Sequence, residues 1–96
     1  MPASQVLKFG ASLSIRDVGE YAAQFRTLLN SGAVELDLRQ VETIDTAGMQ
    51  LLLAAASAAE RSGFRLKLHG AQALQTGAAR ALGLEQQLRS LAEILP

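Results

Sequence analysis

Val34-Glu35-Leu36-Asp37-Leu38-Arg39-Gln40-Val41-Glu42-Thr43-Ile44-Asp45-Thr46-Ala47-Gly48-Met49-Gln50-Leu51-Leu52 is the stretch on which the fold turns. Its opening alternates. Val34, Leu36 and Leu38 share one face of an extended chain and Glu35 and Asp37 the other, the pattern of a strand. Arg39 to Thr43 reads as a connector, and Ile44 returns to apolar. Beyond it Met49, Leu52, Leu53, Ala56 and Ala59 recur at helical spacing. This helix runs to about Ser62, and Gly63 supplies a left-handed stop. Asp45 or Thr46 serves as its N-cap, because either side chain accepts from the free N–H groups of the first turn. Phe64 to His69 is a second strand, with Phe64, Leu66 and Leu68 on one face. Two strands flanking one helix form a crossover unit, so they run parallel.

Outward from this unit the signals are shorter. Gln5 to Phe9 and Ala11 to Ile15, divided by Gly10, read as an antiparallel hairpin at the sheet edge. Asp17, with Glu20 three residues on, resembles a capping box. It opens a helix through Val18, Tyr21, Ala22, Phe25, Leu28 and Leu29, which Asn30-Ser31-Gly32 ends. Gly70 breaks the late strand. Ala71 to Leu82 is helical but weakened by Gly77, and Gly83 ends it. Leu84, Leu88, Leu91, Ala92 and Leu95 suggest a last amphipathic helix. The order β-β-α-β-α-β-α-α predicts one α/β domain over residues 1–96, with a mixed sheet of about four strands and about four helices.

Composition narrows the function. About half the residues are apolar but only 4% are aromatic, so Leu, Val, Ile and Ala must build the core. A net charge of zero lacks the basic footprint of a nucleic-acid binder. Without cysteine there is no disulfide, thiol nucleophile or thiolate metal site, which is compatible with a reducing cytosol. Met1-Pro2-Ala3-Ser4-Gln5 carries no signal-peptide pattern. The apolar stretch Ala47 to Ala59 falls short of the roughly 20 residues of a membrane span. The chain is therefore expected to be cytoplasmic. The single histidine, His69, has no second His or spaced carboxylate pair to make it a ligand or base, and no phosphate-cradle or nucleophile-elbow motif occurs. Neither enzyme activity nor a cofactor nor a metal is expected. Catalysis would require Asp37, Asp45, Thr46 and His69 to come together.

Thr46 places a hydroxyl where a long helix begins, beside unpaired N–H groups and the positive end of the helix dipole. A phosphate there would remain at the surface and add about −1.5 to −2 charges to one patch. The plainer alternative is that Asp45 and Thr46 only cap the helix. Gly48 within the first turn costs about 1 kcal/mol against Ala, which suggests close approach of another backbone or tight packing on the sheet. Leu51, Ala54, Ala55 and Ala58 widen the helix's apolar stripe nearly all the way round. Such a helix is buried or covered, and an apolar shoulder open to a partner is the expectation. Harmless exposure of alanine, a strong helix former, would explain the same pattern.

Together Val34-Glu35-Leu36-Asp37-Leu38 and Ile44-Asp45-Thr46-Ala47-Gly48-Met49-Gln50-Leu51-Leu52 resemble the core of a STAS domain, the sulfate-transporter and anti-sigma-factor-antagonist module. Leu13-Ser14-Ile15-Arg16-Asp17-Val18, Phe64-Arg65-Leu66-Lys67-Leu68-His69-Gly70 and Leu82-Gly83-Leu84 extend the resemblance over nearly the whole chain. It implies a phosphorylatable interaction switch with Thr46 as phosphoacceptor and Asp45 orienting its hydroxyl. Asp45, Thr46, Ala47, Gly48, Met49 and Gln50 would bind the partner, with Gly48 and Met49 as the floor. The implied partner is an anti-sigma factor or related serine/threonine kinase of the histidine-kinase-like ATPase superfamily. The alternative is a constitutively bound accessory subunit of a bacterial phospholipid-transport ABC ATPase. Neither role involves nucleic acid or membrane insertion.

Overall fold

The structure, a computed structural model, describes residues 5–28, 34–75, 83 and 85–95. Its elements are β1 (Gln5–Lys8), β2 (Ser12–Leu13), α1 (Val18–Leu28), β3 (Val34–Asp37), β4 (Thr43–Ile44), α2 (Thr46–Arg61), β5 (Leu66–His69), a 3-10 turn (Ala71–Gln75), α3 (Glu85–Leu91) and β6 (Ala92–Leu95). The main sheet has the order β1-β3-β5-β6, and β2 pairs with β4 in a separate two-stranded ladder. The α/β class is borne out.

Every described ladder is parallel, so the expected mixed sheet becomes a parallel one. The hairpin is the part that fails. Phe9 N–H still donates to the Asp37 carbonyl at 3.1 Å, so β1 stays on β3 to its end. The chain then leaves the sheet, and Leu13 pairs with Ile44. That pairing buries Leu13 completely, which an edge hairpin would not. The last helix is also shorter than expected. It stops at Leu91, and Ala92–Leu95 adds a strand to β5. Leu88 and Ala92, read as one helical face, are both buried, but from two elements. The expected helix from Ala71 is described only as a 3-10 turn; the rest of it, Leu84, and the stop at residues 29–32 lie outside the described residues.

Successive strands of the main sheet are added on one side, and α1 and α3 both pack against α2, so the three helices share one face. The core forms there. Leu7, Val34, Leu36, Leu66 and Leu68 meet Met49, Leu52 and Ala56 of α2, all buried. Opposite lie Val6, Lys8 and Lys67, all exposed, in a solvated surface. On it Glu35 Oε1 meets His69 Nε2 at 2.5 Å across adjacent strands.

Helix α2 ends as the Gly63 reading expects. Gly63 has φ of +92°, its N–H donates to the Glu60 carbonyl, and Phe64 N–H donates to that of Ala59. These two bonds form a Schellman motif.

Asp37, at the end of β3, is the one buried charged residue among the described residues. Arg39 grips it with a fork: Nε donates to Oδ1 at 3.0 Å and Nη2 to Oδ2 at 2.9 Å, and Arg39 N–H adds a third bond at 3.0 Å. The guanidinium, followed by that backbone N–H, holds the carboxyl well below its ordinary value of 3.8. A depressed carboxylate stabilises the fold fully above its unfolded pKa and loses that contribution as pH falls toward the folded one. Asp37→Asn should therefore be less stable than the parent at neutral pH, and the gap should narrow below about pH 4. Urea midpoints at a series of pH values check this; a gap that stays constant into acid would contradict it.

Candidate protein-docking site

The site is assembled by the β2–β4 ladder, which brings the loop after Leu13 beside the start of α2. Asp45 makes the joint. Its backbone is extended, at φ −101° and ψ −176°, as an N-cap requires. Its Oδ1 accepts from Gly48 N–H at 2.9 Å and its Oδ2 from Ile15 N–H at 3.0 Å. Its own N–H donates to the Leu13 carbonyl at 3.2 Å. The Gly48 bond, then the Ile15 bond, lower the carboxyl pKa, so a fixed negative charge stands at the positive end of the dipole. Of the two candidate caps, Asp45 is the one used.

Thr46 is exposed in the first turn, and Gln50 is exposed one turn later. Asp45 and Ala47 are half-buried. Gly48 and Met49 do not form the expected floor of a docking surface. Met49 is wholly enclosed in the core, and Gly48 lies against Leu13 and Ile44. They position the surface from below.

The apolar ground beside Thr46 comes instead from Ile15, which is 70% exposed. Its N–H bond to Asp45 fixes it next to the helix start. Reading Ala11 to Ile15 as one arm of a hairpin makes Ile15 a strand residue and hides its exposure. The available signal was its position between Ser14 and Arg16, directly ahead of a helix start. Asp17 confirms that a turn follows β2, since its Oδ2 accepts from the Ser14 hydroxyl at 3.0 Å.

The apolar shoulder of α2 is mostly covered. Leu52, Ala55, Ala56 and Ala59 are buried and Leu51, Leu53 and Ala58 half-buried, leaving Ala54 as its exposed apolar residue. The four side chains a catalytic reading would need are engaged separately: Asp37 by Arg39, His69 by Glu35, and Asp45 by two backbone N–H groups, while Thr46 faces outward. Among the described residues no group of three or more His, Cys, Asp or Glu could hold a metal ion. No described helix is long and apolar enough to cross a membrane.

Comparison with known proteins bears on the fold and the family. A solved structure of a proposed anti-sigma factor antagonist from Thermotoga maritima superposes with a TM-score of 0.68 at 20% identity, covering 95% of this chain and 79% of that one. At that identity the likeness speaks for the fold alone. No curated protein matches in sequence. The sequence model of the family described as "Mlab, STAS domain" matches residues 1–95, nearly the whole length, and the chain belongs to the STAS domain family.

Proposed function

We propose that this protein is an anti-sigma-factor-antagonist-like interaction switch. The start of α2 docks on a histidine-kinase-like ATPase partner, and phosphorylation of Thr46 releases it. The observation that carries the reading is the exposed Thr46 in the first turn of a 16-residue helix, next to Asp45, which bonds the exposed Ile15. Ile15 supplies apolar contact, Asp45 holds the two backbone segments in register, and Gln50 widens the polar rim. A phosphate would add about −1.5 to −2 charges next to the Asp45 carboxylate. Repulsion and desolvation at that point oppose docking, while the helix cap beneath is untouched.

The test is intact-mass measurement after incubation with candidate kinases and ATP. One phosphate is expected on the parent and none on Thr46→Ala. Thr46→Glu should weaken the complex at least about tenfold, or 1.4 kcal/mol. Phosphate on Thr46→Ala would refute the acceptor assignment.

A second reading is favoured by Ile15, whose apolar surface can hold a partner without any phosphate. The protein would then be a constitutive accessory subunit of a phospholipid-transport ABC ATPase. In that case Thr46→Ala keeps ATPase activity and Thr46→Glu loses it. Co-purification with an ABC ATPase rather than a histidine-kinase-like one would decide for this reading.

A further inference from the structure

Along α2, from Leu51 to its last turn, the molecule has a second surface with a different character. Helices α1 and α2 each return between parallel strands, so they run side by side and end together. Between them lies a groove of about 310 Å³. Phe25, Leu51, Ala54 and Ala58 line it, and Arg26 and Arg61 stand on its two walls. Both arginines are exposed, and neither is in an ion pair among the described residues. Arg26 Nε donates to the Ala22 carbonyl at 3.3 Å, which lays the guanidinium along α1.

We infer that this groove docks an amphipathic helix of a partner protein that carries acidic residues beside its apolar stripe. The site is a different one from the Thr46 surface: none of Asp45, Thr46 and Gln50 lines the groove, and its Arg61 margin lies fifteen residues of helix, about 22 Å, from Thr46. Three observations select the occupant. Alanines on the α2 wall let a third helix approach closely. The groove is a trough open to solvent, so a helix can bury one stripe and keep its other face wet, whereas an acyl chain laid there would stay half hydrated. Two cations in no ion pair among the described residues flank an apolar floor, which calls for an apolar ligand with carboxylates at its margin. Each arginine stands in the last turn of its own helix, where it complements the dipole, and the pairing of the two helices brings both cations to one trough.

The probe is a fluorescein-labelled, stapled helical peptide with one leucine stripe and two glutamates flanking it, titrated by anisotropy against the full chain. Saturable binding is expected, weakened about tenfold in the double variant Arg26→Glu, Arg61→Glu and restored when the peptide's glutamates become lysines. Ala54→Gln, an exposed site, should block the trough with the fold intact by circular dichroism. Thr46→Glu should leave this binding unchanged, so the result stands apart from the fate of the phosphoswitch. Absence of binding up to about 1 mM, a Kd equivalent to only −4 kcal/mol, overturns the proposal. So does binding indifferent to the charge swap, or uptake of oleate in place of the peptide.

Discussion

Gly70→Ala should cost the protein about 3 kcal/mol, a large part of the roughly 5–15 kcal/mol that holds a domain together. Gly70 stands where three parallel strands finish. Its N–H donates to the Leu95 carbonyl at 3.1 Å, and next to it Leu38 N–H donates to the His69 carbonyl at 2.7 Å. Its φ is +98°, where an L side chain is strained. Space is missing as well. A Cβ there would lie 2.8 Å from both Arg39 N and the Leu38 carbonyl carbon, and these are backbone atoms that cannot rotate away. Yielding would displace Arg39, and with it the fork that neutralises Asp37. Against these costs, replacing glycine reduces unfolded-state entropy by only about 0.4–1 kcal/mol.

The comparison that isolates the steric part is Gly63→Ala. Gly63 has a similar φ, +92°, but nothing lies within 4 Å of the added carbon. It should lose only the conformational penalty, about 1–2 kcal/mol. Urea unfolding with an unchanged m-value is the measurement. In a domain of this size the Gly70 variant should melt at least about 12 °C lower. Equal losses at the two glycines would mean that β3 and β5 do not close on Gly70 as described.

What could be read without coordinates followed the length of each signal. β3, the connector and α2 were legible because alternation and then a 3.6-residue period persist over many residues. β4 is Thr43–Ile44 alone, too short for any period, so Thr43 reads as the end of the connector and Ile44 as a lone return to apolar. The β2–β4 ladder is a tertiary event: what fixes it is the burial of Leu13 beneath α2, and no local pattern carries that. Leu88, Leu91, Ala92 and Leu95 fit a helix by spacing, yet Ala92 and Ile94 also alternate, and the open edge of β5 decides in favour of a strand. At the site, Thr46 and Asp45 were legible because helix starts have distinctive chemistry. Ile15 was not, since its exposure depends on a loop whose course is set by Asp45, thirty positions away.

The same loop makes Gly48→Ala the sharper probe of the site, because two large effects there have opposite signs. In a helix, Ala is favoured over Gly by about 1 kcal/mol. Gly48, however, is where the first turn of α2 crosses β2. An added Cβ would collide with the Leu13 carbonyl oxygen and come within 2.8 Å of Ile44 Cγ1 and 3.0 Å of Leu13 Cγ. Side chains can shift, but the Leu13 carbonyl is held by Asp45 N–H. Overpacking of this kind costs about 1–3 kcal/mol and often more where backbone is the obstacle, so the steric term wins and the net loss should be about 2 kcal/mol. Gly19→Ala is the reference. Gly19 lies in the first turn of α1 with nothing within 4 Å, so there the helical preference should act unopposed and raise stability. One substitution, placed in two helix starts, should move the urea midpoint in opposite directions. The damage at Gly48 should also be local. To admit the methyl group, the helix start must lift from β2, lengthening the Gly48–Asp45 bond and loosening the Asp45 hold on Ile15. Amide exchange at Ile15 and Gly48 should accelerate beyond the change in global stability, and partner affinity should fall even under conditions where the variant is fully folded. A Gly48→Ala protein more stable than the parent would show that α2 does not rest on Leu13, and the register that places Ile15 beside Thr46 would go with it.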